Sequence, residues 1–212
     1  VSRLCMDADI RVLTGFIEPH FFAGFSGGPK AILPGVAGHE TIMQNHSTPM
    51  LNHPNVRWGV YQGNPVWQEM MEAAERTTPH FLVNVTLNSA RQITAVFAGG
   101  LRAAHAQGAA FVREHAMIEM DRRFDIVVSS NAGYPLDLNL YQAVKGMSAA
   151  AQIVKPGGHI IVAAECWDGI PDHGEYRRLL HSGRDPAHLL ELMSAPGFMV
   201  RDQWEVAVQA RI

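Results

Sequence analysis

The chain has 212 residues, with 17 basic against 20 acidic groups and a net charge of −3. Hydrophobic residues make up 47% and charged residues 17% of it. This length supports a core without metal or disulfide staples, and a slightly acidic balance lacks the basic surplus that nucleic acid or an anionic membrane demands.

Two cysteines, Cys5 and Cys166, cannot build a disulfide framework or a cysteine-rich zinc site, which points to a reducing cytoplasm. No apolar run is long enough to span a membrane, and no signal-peptide pattern is present. The low charge fraction suggests surface built as a cleft, a domain interface or a subunit contact, since an average soluble domain carries about 25% charged residues. The chain starts at Val1 without an initiator methionine and stops inside a helix-like pattern. It reads as one piece cut from a longer protein.

Arg11 to Ile17 is a short apolar run that predicts a buried strand. It leads through Glu18-Pro19-His20 into a glycine-rich turn, Gly24 to Gly28. Pro29 suits the first position of a helix, which puts Lys30 at a loop-to-helix junction. A helix is expected from Gly38 to Asn45, then an irregular loop over residues 47–65. Asn64-Pro65 predicts a capped helix to about Glu75. Phe81–Leu87 and Ile93–Phe97 are β-rich runs joined by the Asn88-Ser89 turn. A helix over Leu101–Met117 and a strand over Phe124–Ser129 follow, then a loop to Asp137.

Leu138–Val154 is expected to be helical. Lys155-Pro156-Gly157-Gly158 predicts a turn into a strand over His159–Ala164. Glu175–His181 and Ala187–Met193 read as short helices. Asp202 reads as the cap of a last helix that carries Trp204 and runs off the end. Strands alternating with helices predict an α/β fold, a largely parallel sheet flanked by helices. No repeat or linker divides it, so one domain is the simplest reading. Ligands of such sheets sit beyond the carboxyl ends of strands, which selects two loops: His20 to Lys30, and Ser130 to Lys145.

The first loop, EPHFFAGFSGGPKAILPG, combines a histidine, loop glycines, a serine and a lysine. Glycines permit close backbone approach to a ligand. The phosphate-binding P-loop pattern fails here. Pro29 stands where its second glycine belongs, and Ala31 where its hydroxyl belongs. On spacing alone, His20 reads as a hydrogen-bonded, partly buried histidine. Lys30 is less comfortable, because a cation at the positive end of a helix needs an anionic partner or a covalent role. His46 is one of eleven histidines, and no spacing identifies a metal. In the second loop and its helix, Tyr141 and Lys145 share a face with Gln142 beside them. An amide and an ammonium there suit a small carboxylate, though an amphipathic helix with a polar edge has the same pattern. FDIVVSSNAGYP followed by VKPGGHIIV weakly resembles the middle strands of a class I, SAM-dependent methyltransferase. A non-enzymatic metal- or partner-binding module is the third reading.

Three stretches together resemble the nickel-pincer lactate racemase family: GFIEPHFFAGFSGGPKAILPGVAGHETIMQNH, GYPLDLNLYQAVKGMSAAAQIVKPGGHIIVAAEC and DQWE. The resemblance runs from about residue 11 to the end. It implies a two-domain α/β enzyme that racemises or epimerises a small 2-hydroxy acid such as lactate. The implied cofactor is a nickel pincer nucleotide, pyridinium-3,5-bisthiocarboxylic acid mononucleotide carrying nickel. Lys30 matches the lysine that tethers it, His46 the nickel-ligating histidine, and His20 an acid/base histidine. Gln142 and Lys145 match carboxylate-holding positions. Tyr141 and Trp204 match residues beside the cofactor.

Hydride transfer to an electrophilic pyridinium–nickel unit would avoid a carbanion at a C–H bond of low acidity. On this resemblance, residues 1–200 form the cofactor-tethering domain, and 201–212 begin a helix leading back to an N-terminal domain. All of that domain is expected to lie outside the chain. The chain alone is then expected to lack the cofactor and to be inactive, with the absent domain of the same protein as its partner.

Overall fold

The computed structural model describes residues 1–212. One helical turn, α1 (Arg3–Met6), precedes strand β1 (Val12–Phe16). A small ribbon, β2 (Pro19–His20) with β3 (Gly24–Phe25), leads into a 3-10 turn over Gly28–Ala31. Next come α2 (His39–Asn45), α3 (Thr48–Leu51), α4 (Pro65–Arg76), β4 (Phe81–Leu87), β5 (Ile93–Gly99) and α5 (Leu101–Ala116). The second half holds β6 (Phe124–Ser130), α6 (Leu140–Ala151), β7 (Val154–Ala163), α7 (Tyr176–Leu180), α8 (Pro186–Ser194) and α9 (Gln203–Gln209). Sheets flanked by helices make this an α/β fold, as the alternation predicts. The residues gather into two compact units, Val1–Asn45 with Asn52–Ile118, and His46–Leu51 with Glu119–Ile212.

In the first unit the sheet order is β1-β4-β5. β1 lies parallel to β4, and β4 and β5 form the antiparallel hairpin that the Asn88-Ser89 turn predicts. Leu82, Asn84 and Thr86 alternate along the buried side of β4, which α5 covers. Gly108 allows that helix to approach closely, since a Cβ there would lie 2.2 Å from Ile17 Cδ1. Leu13, Ile32, Ala74, Leu82 and Ala104 form one core cluster, and Ile17, Phe25, Ala109 and Val112 another. Burying each large side chain contributes about 1.5–3 kcal/mol. Asn64 caps α4, its Oδ1 accepting from the Trp67 N–H at 3.3 Å.

In the second unit β6 and β7 pair in parallel, and α6 packs on both. α9 packs against α3, α6, α7 and α8. Asn139 starts α6 by accepting from the Gln142 N–H at 3.1 Å.

Four local expectations are corrected. The element at Pro29 is a single 3-10 turn rather than a helix, because Pro34 and Gly35 follow so soon. The stretch expected to be irregular contains α3, whose Leu51 N–H donates to Ser47 O. Lys155-Pro156-Gly157-Gly158 is an irregularity within β7, not a turn before it: the register passes from Phe124 opposite Val154 to Ile126 opposite His159. The last helix closes at Gln209, and the Arg211 and Ile212 N–H groups make tighter bonds to Val208 and Gln209 carbonyls. Asp202 does precede that helix, but in a left-handed conformation (φ 68°) and without a capping bond. Its Oδ2 accepts from the Glu175 N–H instead.

Candidate functional site

Both selected loops follow the carboxyl ends of parallel strands, β1 and β6. The loop after β1 is closed by Ser26. Its Oγ donates to Phe16 O at 3.1 Å and accepts from the Glu18 N–H at 2.9 Å. The β2–β3 ribbon pairs His20 with Gly24 and folds the loop back on itself. This brings Lys30 Nζ to 2.7 Å from His20 Nε2. The other ring nitrogen, Nδ1, accepts from the backbone N–H groups of Phe22 and Ala23 at 3.4 and 3.2 Å. The ring stacks on Phe21 and meets Phe22 edge-on.

Lys30 does not meet a strong helix dipole, because a four-residue 3-10 turn carries little macrodipole. Its amine meets the His20 imidazole and lies 5.5 Å from the centre of the Phe22 ring.

Two residues missed by sequence reasoning shape this loop. Asn84 is fully buried on β4, and its Oδ1 accepts from the Gly28 N–H at 2.7 Å. His105 is fully buried on α5, with Nε2 3.1 Å from Ser26 O and Nδ1 without a hydrogen-bond partner. Burial holds its charged form down, against the Ser26 carbonyl that favours it. Gly28 has φ +53°, and a Cβ on it would lie 2.4 Å from His105 Cδ2. The available signals were a polar residue at an inward strand position and a histidine inside an alanine-rich helix.

The second unit gathers the other expected residues. Lys145 Nζ donates to Gln142 Oε1 at 2.9 Å on the half-buried face of α6. Asn131 fixes that helix start: its Oδ1 accepts from the Gly146 N–H and its Nδ2 donates to Gln142 O, each at 2.9 Å. Trp204 Nε1 donates to Tyr141 Oη at 2.9 Å. His46 is buried, and its ring meets that of Trp204 edge-on at 5.2 Å. The backbone carbonyl of His46 accepts from Gln203 Nε2 at 3.4 Å.

Glu205 is a further residue that sequence reasoning missed. It is 1% exposed, and its Oε1 has no hydrogen-bond partner. Burial pushes its carboxyl up to about 8, a shift opposed by the Lys145 charge and reinforced by Asp202. Burial, with Glu205 second, also raises Tyr141.

These observations meet the comparisons with known proteins. Residues 1–59 match the lactate racemase N-terminal domain, and residues 120–212 match the lactate racemase C-terminal domain. The chain belongs to the lactate racemase family. It is 44% identical over 214 residues to a lactate racemase of Thermoanaerobacterium thermosaccharolyticum, covering 100% of this chain and 50% of that protein. A lactate racemase of Lactiplantibacillus plantarum is 41% identical over 213 residues, with the same coverage. The chain thus spans about half the length of the curated relatives it matches.

Among solved structures, the lactate racemase apoprotein from T. thermosaccharolyticum superposes with a TM-score of 0.94 at 43% identity, covering 100% of this chain and 51% of that one. A Thermotoga maritima protein at 21% identity shares the fold, with a TM-score of 0.75 over 99% of this chain and 53% of that one. One expectation changes. Part of the N-terminal lactate racemase domain lies within this chain, because residues 1–59 match it. Family membership also supersedes the methyltransferase resemblance. No helix is long and apolar enough to cross a membrane.

Proposed function

We propose that the chain belongs to a cytoplasmic racemase or epimerase of lactate or a similar small 2-hydroxy acid, and that it tethers and holds a nickel pincer nucleotide. The observation that carries this reading is the Lys30 amine set 2.7 Å from the His20 ring. Family membership supplies the reaction class.

The residues fit that cofactor. No three His, Cys, Asp or Glu side chains converge to hold a metal by themselves. A metal that brings most of its ligands with it, and takes one imidazole from His46, suits such a donor set. The Trp204 ring beside His46 gives an apolar flank that limits water. Lys30 is half-buried, so its amine is not sealed in the core.

When bound, the group would supply an electrophilic centre suited to accepting hydride. His20 serves as the acid/base group for the substrate hydroxyl, as the family resemblance implies. Lys145 supplies positive charge for the substrate carboxylate. Gln142 accepts from Lys145 through Oε1, which leaves its amide N–H groups to donate to the same carboxylate. Tyr141 accepts from Trp204, so its own O–H is available to donate. Racemisation needs proton exchange on both faces, so the longer protein supplies a second group opposite His20. For that reason the 212-residue chain alone is expected not to turn over lactate.

The test is lactate racemisation by the intact enzyme. Lys30→Ala is expected to lose at least about 10³-fold in rate, as removal of a covalent anchor does. Lys145→Ala is expected to raise KM more than it lowers kcat. Full racemisation by Lys30→Ala would overturn the proposal.

A further inference from the structure

The loop over residues 60–62 and the last two turns of α5 border a cleft of about 560 Å³, lined by Val60, Tyr61, Gln62, Ala110, Arg113 and Glu114. Ala110, Arg113 and Glu114 share one face of the helix, at i, i+3 and i+4. None of these residues is among those proposed to hold the cofactor or the substrate. The volume falls within the range of small-molecule sites, about 300–1,000 Å³.

Arg113 is held from two sides. One guanidinium N–H donates to Gly59 O, and Cζ lies 5.5 Å from the centre of the fully buried Phe25 ring. Arg113 forms no ion pair, and a guanidinium has five N–H donors, so most of its fork is left to a ligand. Tyr61 is fixed as well: its ring meets those of Phe25, Trp67 and His105 at 6.0, 5.0 and 6.1 Å. The Tyr61 hydroxyl and the Gln62 amide make no protein hydrogen bond. Three donor groups therefore line one cleft, beside an apolar wall made by Val60, Ala110 and the Tyr61 ring.

We propose that this cleft binds a small organic acid as its monocarboxylate, with Arg113 as the anchor for the carboxylate and the Tyr61 ring as the support for an apolar body. Arg113 can only donate, and Tyr61 and Gln62 can donate with it, which favours a ligand that accepts. A guanidinium fork matches a carboxylate through two parallel bonds. The lining holds one cation and one anion, Arg113 and Glu114, and the negative end of α5 lies beside them. That balance accepts one negative charge and opposes a second, so a carboxylate is favoured over a phosphate dianion. The cleft is larger than a three-carbon acid fills, so the rest of the ligand is an apolar or aromatic group. Arg113 and Tyr61 are already fixed, so binding loses little of their side-chain entropy. The site belongs to the first unit alone and is independent of the racemase reading.

The experiment is isothermal titration of the intact enzyme with 3-phenylpropionate, which carries one carboxylate on an aromatic body and lacks the 2-hydroxyl that racemisation requires. One site with a Kd at or below about 1 mM is expected. The uncharged 3-phenylpropionamide keeps the shape without the charge and is expected to bind at least about tenfold more weakly. Inorganic phosphate is expected to bind more weakly than 3-phenylpropionate.

Arg113→Gln, checked for folding by circular dichroism, is expected to weaken 3-phenylpropionate at least about tenfold. Arg113→Lys keeps the charge but loses the fork, and its affinity is expected to fall between the two. Glu114→Gln removes the competing charge and is expected to tighten binding about two- to fivefold, a gain that a damaged fold does not give. Lys145→Ala is expected to leave this binding unchanged. Absent binding, equal binding of the amide, tighter binding of inorganic phosphate, binding that survives Arg113→Gln, or binding lost with Lys145→Ala overturns the proposal. Enzyme that binds 3-phenylpropionate through Arg113 but does not racemise a 2-hydroxy acid leaves the site standing and sinks the racemase reading.

Discussion

In the unit that contains the glycine turn, Asn84 is fully buried, and its Oδ1 accepts from the Gly28 N–H. In the unit that contains α9, Glu205 is almost equally buried, yet its Oε1 has no hydrogen-bond partner. The first unit uses a neutral amide to hold a backbone loop in place. The second keeps an acid inside, where only the Lys145 charge favours its ionised form. A satisfied amide stabilises the fold and fixes geometry, whereas an unpartnered acid makes the fold sensitive to proton concentration.

The largest stability effect expected from this contrast lies at Glu205. Its folded-state carboxyl is raised to about 8 from an ordinary 4.5. Between those values the folded state holds the proton more tightly than the unfolded state. Its contribution is therefore fully present below the ordinary carboxylate range and is lost as pH rises towards about 8. The slope reaches at most about 1.4 kcal/mol per pH unit, for a total of a few kcal/mol. Glu205→Gln is expected to remove this slope, so urea melts of wild type and variant should diverge progressively from pH 5 to pH 8. A difference independent of pH would break the contrast.

A smaller loss is expected at Asn84. Asn84→Ala leaves the Gly28 N–H buried without its acceptor, which costs about 1–3 kcal/mol at every pH. Thermal melts check this, and unchanged stability would mean that the amide does not hold the turn. The smallest effect belongs to Arg102, whose guanidinium pairs with Glu75 on the surface. The pair lowers Glu75 through its hydrogen bond, but solvent screens it. Arg102→Ala is expected to change stability by less than about 1 kcal/mol, and a larger loss would show that surface pairs matter more here than buried ones.

Sequence legibility followed the same division. Branched and aromatic runs made β1, β4, β5, β6 and the second half of β7 readable, and Asn64-Pro65 announced α4 correctly. Composition read straight through the passage at residues 118–119, because no linker-like segment separates the two units. The site residues His20 and Lys30 were readable as types in a glycine-rich loop. The bond between them was not, because it depends on the ribbon that folds His20 back. Asn84, His105 and Glu205 went unremarked for a related reason. Each owes its role to what packs against it across long stretches of chain, and a window of sequence carries no such information.

The most direct test of the central claim is peptide mapping by mass spectrometry of the intact enzyme purified in an active state. The account predicts a cofactor-derived mass on Lys30 and on neither Lys145 nor Lys155, with nickel lost in step with that adduct when Lys30 is replaced. Racemisation by enzyme whose Lys30 is unmodified would contradict it.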